Sequence, residues 1–187
     1  MFEGVDTVVL YDELAYEDVL PVQWKPLAQP LDRFTLLGID ESNSLLLHAC
    51  VAVEEHPVRE ISEALEPLAM ELARMEFKIN LVLRLLSRLV TPEATGAPTS
   101  IQFNALGASW VSLEPAPSVG AQGLLRIQLR SSLPQPLELP AEVASVAAGR
   151  VRATFLELSK SNAELIQKLA FLRHRRHIAD ARKARQP

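Results

Sequence analysis

Cysteine is almost absent. Cys50 stands alone among 187 residues, so no intrachain disulfide can form. The opening residues Met1-Phe2-Glu3-Gly4-Val5-Asp6 supply neither a basic nor an apolar leader, and the expected setting is a reducing cytoplasm. No uncharged apolar run approaches about 18 residues, so no membrane insertion is expected. Glycine is sparse, at seven residues. The chain contains neither GxGxxG nor a P-loop, which removes the familiar phosphate cradles. No nucleophile and base group together. Cys50 sits in an apolar helical run and reads as a small buried hydrophobe. The expected class is therefore non-enzymatic.

Charge of one sign is missing locally. From Lys160 to Pro187 there are eight basic residues against two acids, Glu164 and Asp180; the remainder holds 19 − 8 = 11 basic and 23 − 2 = 21 acidic residues. The tail is thus basic and the body acidic, a pattern of an anion-binding tail or of a tail drawn to an acidic neighbour. A nucleic-acid-binding module with a basic tail is one alternative. Against it, no aromatic follows Phe171 to stack on bases. His174, His177 and Asp180 have a spacing that brings ligands to one helix face. Arg173, Arg175 and Arg176 crowd that face with positive charge, so no metal is expected.

What the chain has in plenty is an apolar repeat. Ile61, Leu65, Leu68, Leu72, Met75, Ile79, Val82, Leu86 and Leu89 follow one another at alternating spacings of four and three. A 3.5-residue average keeps one seam facing a partner helix. Leu65, Leu72, Ile79 and Leu86 take the a positions; Ile61, Leu68, Met75, Val82 and Leu89 take d. An intrachain helix pair can also use heptads, but four unbroken ones favour self-association. Mostly Leu at a, with β-branched residues at two d sites, shifts the preference from dimers toward trimers and tetramers. Apolar flanks at Ala64, Ala69, Leu83, Leu85 and Val90 suit a wide four-stranded core. The expectation is a homotetramer built on parallel helices.

Around this segment the chain divides into four parts. Residues 1–40 read as N-terminal strands, with Leu20–Trp24 a short edge segment because Pro21 cannot donate to a ladder. Residues 41–91 read as a two-helix insert, its first helix capped by Ser42 or Asn43. Thirteen prolines stiffen the connections. Residues 99–158 alternate with period two, around a turn at Asn104–Gly107 and another at Gly149. Residues 159–187 read as a basic helix capped by Ser159 or Ser161, fraying after Ala181. The fold class is α+β.

The segments Ser100–Trp110, Gly123–Leu129 and Val151–Leu158 resemble a PilZ domain. That resemblance implies a six-stranded antiparallel β-barrel with a C-terminal helix, here interrupted by the insert, in an atypical tetrameric subgroup. It also implies bacterial cyclic di-GMP signalling. Receptors of this kind carry RxxxR and D/N-x-S-x-x-G. Here the second motif aligns as Gln102, Asn104 and Gly107, with Gln and Asn replacing the usual residues. Residues 91–100 contain no Arg, and Arg84 and Arg88 lie within the heptad segment. Gln102, Asn104 and Gly107 thus form a degenerate nucleotide site, and the resemblance implies weak or no direct binding with action through a protein partner. A direct receptor using a non-standard Arg set is the other alternative.

Overall fold

Strand β3, Tyr16–Pro26, pairs with two different neighbours along its length. In the computed structural model, Tyr16–Pro21 lie antiparallel to β4, Pro98–Phe103. Beyond Pro21, Val22–Pro26 lie antiparallel to β6, Gln122–Ile127. The other strands are β5 (Gly107–Val111), β7 (Leu137–Ala147) and β8 (Arg150–Phe155). They complete a closed barrel in the order β3-β4-β5-β8-β7-β6. The expected edge segment at Leu20–Trp24 is therefore an interior strand. Pro21 is tolerated because it sits where the ladder passes from one neighbour to the next, and its carbonyl accepts from the Gln128 N–H at 3.0 Å.

The structure describes residues 8–55, 96–112, 115–130, 133 and 135–184, with positions 70–72, 74, 75, 77–79, 81, 82 and 85 between. Among the described residues of the N-terminal segment, only β3 joins the barrel. Strands β1 (Val9–Leu10) and β2 (Glu13–Leu14) form a separate two-stranded sheet, too short to reach a third partner.

Period-two alternation puts one row of each strand inside. Ile101, Phe103, Leu125, Ile127, Leu137, Leu139, Val151 and Ala153 are fully buried. Each large apolar side chain removed from water contributes about 1.5–3 kcal/mol before ordering costs. Tyr16 leans on Phe103 with ring centroids 5.1 Å apart, and Trp24 stacks on Trp110 at 5.8 Å. The β7–β8 turn has Ala148 and Gly149 both at positive φ, the tight two-residue type whose twist suits a hairpin.

Helix α1 runs from Arg33 to Glu55 and corrects the expected start at Ser42 or Asn43. Asp32 is the cap: its carboxylate accepts from the Phe34 N–H at 2.9 Å and the Thr35 N–H at 3.0 Å, and from the Thr35 hydroxyl at 2.6 Å. The part expected as residues 1–40 thus already contains helix. Helix α2, Lys160–Ala184, runs past the expected fraying point and is capped by the Ser159 hydroxyl, which accepts from the Asn162 N–H at 3.3 Å. Leu46, Leu47, Cys50 and Val51 of α1 and Ile166, Leu169 and Ala170 of α2 share one apolar cluster with the barrel. By length and composition α1 is apolar enough to cross a membrane, but this inner row packs on the barrel.

Asn43 has a different task from capping. Strand β7 overhangs β8, which begins to pair only at Ala141. The backbone of Glu138 therefore lacks a strand partner on that side. Asn43, 3% exposed, supplies one: its Nδ2 donates to the Glu138 carbonyl at 2.6 Å and its Oδ1 accepts from the Glu138 N–H at 3.0 Å. Asn162 ties the two helices together, donating its Nδ2 to the Asp40 carbonyl at 2.9 Å and to the Asp40 carboxylate at 2.6 Å. Buried polar groups left unpaired cost about 1–3 kcal/mol each. Asn43→Ala should therefore destabilise the chain by about 2–4 kcal/mol in urea unfolding, whereas Ser42→Ala should change it by less than about 0.5 kcal/mol. Equal effects would mean that the Asn43–Glu138 bonds add nothing to stability.

Candidate functional site

The three motif positions fall on one hairpin, β4–β5, and each has different contacts. Asn104 is completely buried. Its Oδ1 accepts from the N–H groups of Leu106 at 2.9 Å and Gly107 at 3.2 Å, so it shapes the turn. Its Nδ2 donates to the Leu10 carbonyl at 2.5 Å, which fastens the β1–β2 sheet to the barrel. Both the oxygen and the nitrogen of this side-chain amide are thus engaged within the fold. Gln102 stands apart from both, donating across the strands to Glu17 at 2.8 Å.

Gly107 is required by crowding. A Cβ there would lie 2.2 Å from the Ala153 carbonyl oxygen and 2.8 Å from the Tyr11 ring. Tyr11 closes over this glycine, donating its hydroxyl to the same carbonyl at 3.2 Å. The Arg152 guanidinium sits 5.1 Å from the ring centre, within cation–π range. Tyr11 and Asp12 both hold positive φ, an uncommon conformation for a bulky side chain. The contacts of Tyr11 and the Asn104–Leu10 bond keep it there. Sequence reading missed this roof. The signal was the Tyr11-Asp12 pair at the tip of a two-residue hairpin turn.

A second locus lies where the end of α1, the start of β3, the residues after β6 and the middle of α2 meet. Glu54 is almost wholly buried and holds two arginines: Arg130 at 2.6 Å and Arg176 at 2.7 Å. Arg173 pairs with Asp18 at 2.7 Å and lies 5.6 Å from the Tyr16 ring centre. Burial, with help from Asp18 and Glu54, pushes the Tyr16 hydroxyl up to about 12 against the pull of Arg173. Burial also pushes the Cys50 thiol up, with Arg130 working against it, so Cys50 stays protonated and unreactive at neutral pH. Arg173 and Arg176 of α2 are thus drawn onto acids of the body. Lys168 joins them by pairing with Glu55 at 2.7 Å.

A third locus is the heptad seam. Leu72, Met75, Ile79 and Val82 are helical and 54–59% exposed. Ile61, Leu65, Leu68, Leu86 and Leu89 lie outside the described residues, as do Arg84 and Arg88.

Comparison with known proteins now decides the family. The family model described as an atypical PilZ domain, cyclic di-GMP receptor, matches residues 47–183. The chain belongs to the atypical PilZ family. A similar solved structure is a protein of Xanthomonas campestris, described as a tetrameric PilZ domain self-assembled via an unusual helical bundle. It is 28% identical, with a TM-score of 0.66, over 91% of this chain and 93% of that one. No curated protein matches. In this PilZ chain two of the positions read as a degenerate motif, Asn104 and Gly107, are built into the β4–β5 turn. Replacing Asn104 by Ser, the residue usual in that motif, should lose the Leu10 bond and cost about 1–3 kcal/mol. Hydrogen exchange at the Leu106 and Gly107 amides should speed up accordingly. Unchanged exchange would show that Asn104 does not pin the turn.

Proposed function

We propose that this chain is a non-enzymatic, cytoplasmic cyclic di-GMP signalling protein of bacteria. It assembles as a tetramer through parallel coiled-coil helices, binds the nucleotide weakly or not at all through its degenerate motif, and acts on a protein partner. The observation that carries the reading is the exposed seam. Four large apolar side chains at successive a and d positions face water in the single chain. Soluble surfaces seldom leave a contiguous apolar row open, and a second, third and fourth copy of the same helix would cover it. The tetramer described for the Xanthomonas campestris protein supports the same arrangement.

A bundle closed on that seam leaves the opposite face uncovered. Met70 and Phe77, at f positions, and Leu81, at c, are exposed as well, which supports a protein partner on the outside of the bundle. The ion pairs of Lys168, Arg173 and Arg176 with acids of the same chain speak against a basic tail reserved for nucleic acid. The commitment of Asn104 and Gly107 to the turn supports weak nucleotide binding.

Placing Asp at both Leu72 and Ile79 tests the assembly. Unpaired charges buried in every strand cost several kcal/mol each. Light scattering should give a mass near four chains for the wild type and a lower one for the double variant. A wild-type monomer at tens of micromolar would mean that the heptads pack within one chain. For the ligand, calorimetry should show no micromolar binding of cyclic di-GMP. A saturable micromolar isotherm would instead make the chain a direct receptor with a non-standard Arg set.

A further inference from the structure

The cleft between α1, α2 and the mouth of the barrel has a volume of about 190 Å³. Arg130, Arg173 and Arg176 line it, together with Glu54, Asp18 and Tyr16. Three guanidinium groups face two carboxylates, which leaves one positive charge in excess. The shortage is local and visible. Glu54 serves Arg130 with one oxygen and Arg176 with the other, so two cations share one anion. A guanidinium offers five N–H donors in a rigid fork, and these ion pairs engage one nitrogen of each arginine. The three come from different places: Arg130 from the loop after β6, Arg173 and Arg176 from neighbouring turns of one face of α2.

We propose that this cleft binds the terminal phosphate of a small molecule, one group per chain, on Arg130, Arg173 and Arg176. A terminal phosphate presents three strong acceptor oxygens and a charge of about −1.5 to −2 at neutral pH, one oxygen for each arginine. Planar forks suit phosphate better than point charges do. A phosphodiester has one fewer free oxygen and is flanked on both sides. The cleft is also smaller than the roughly 300–1,000 Å³ that encloses a drug-sized ligand, so it takes a group and not a whole cyclic dinucleotide. Asp18 and Glu54 oppose any anion, and the expected affinity is on the order of millimolar. The site goes beyond the assembly and signalling role and does not depend on them. Glu54 is next to last in α1, so drawing its arginines toward a phosphate would loosen the link between α1 and α2 at the point where the chain leaves for the heptad segment.

The test measures melting temperature on the full chain at constant ionic strength, with chloride replaced in turn by inorganic phosphate, guanosine monophosphate and cyclic di-GMP at several millimolar. Phosphate and the monophosphate should each raise Tm by about 2–4 °C. Cyclic di-GMP should not. The increase should vanish in Arg173→Gln/Arg176→Gln and survive in Arg175→Gln, whose side chain lies over Phe171 at 5.9 Å and outside the cleft. An increase with the monophosphate alone supports an ester as the ligand; an equal increase with free phosphate shows that the group suffices. No increase, or one that persists in the double variant, overturns the site and leaves the proposed signalling role standing. An increase with cyclic di-GMP alone overturns the site and, separately, the expectation of weak nucleotide binding. Should the double variant melt near ambient temperature, Arg130→Lys replaces it: it keeps the charge, loses the fork, and should weaken binding at least threefold.

Discussion

One strand has to satisfy two neighbours, and the barrel depends on it. Strand β3 supplies the first half of its length to β4 and the second half to β6. Without it the other five strands would form an open sheet with two bare edges, a form prone to pair with other chains. Closure also aligns the outer face. Gln23, Arg126 and Glu138 stand in one row across β3, β6 and β7, with Arg126 contacting Gln23 at 3.2 Å and Glu138 at 2.7 Å. The row links the strand that closes the barrel to the strand that carries α1 through Asn43.

The two helices complete what the strands leave open. Helix α1 covers the overhang of β7, and α2 fills the space between α1 and β3. Apolar contacts supply most of the attachment; the cluster of Asp18, Glu54, Arg130, Arg173 and Arg176 sets the relative placement of α1, α2, β3 and the segment after β6. Exposed ion pairs contribute little to stability. A nearly buried carboxylate shared by two guanidinium groups is different, because removing either partner leaves charge stranded in poor solvent. The same economy that fixes the helices leaves the region short of anions.

Features set by local pattern were legible in the sequence. The alternation of Leu125, Ile127, Leu137, Leu139, Ala141 and Val143 shows one buried face per strand, and it located β6 and β7. The heptads located a helix, in which Leu72, Met75, Ile79 and Val82 are helical. The hairpin at Asn104–Gly107 was readable as a turn. What failed depended on distant partners. Asn43 looked like a cap because its true partner, Glu138, lies 95 positions away. The bond from Asn104 to Leu10, which spans 94 positions, was equally out of sight. Strand β3 lacked clean alternation because its surroundings change midway, and most of its second half is neither fully buried nor exposed. The cap at Asp32 was local but disguised by Pro30 before it and by Thr35 standing where Glu or Gln would complete the usual capping pair. The arginine cleft draws on four separate stretches of chain, and no single window shows it.

The division of β3 from its partners has a consequence for the order of folding. Glu17 and Gln102 are 85 positions apart, and Gln23 and Arg126 are 103 apart. Contacts of such separation form late, since the loop between them must first be closed. Helices need only near neighbours and form far sooner. During synthesis β3 is therefore made first and paired last. It waits as a free edge carrying Val19, Leu20, Val22 and Trp24. Pro21 and Pro26 interrupt that edge and offer no N–H to a stray strand. In the finished barrel they look like blemishes in a ladder. On a nascent chain they act as gatekeepers, holding an unpaired strand out of aggregates until its own partners have been translated.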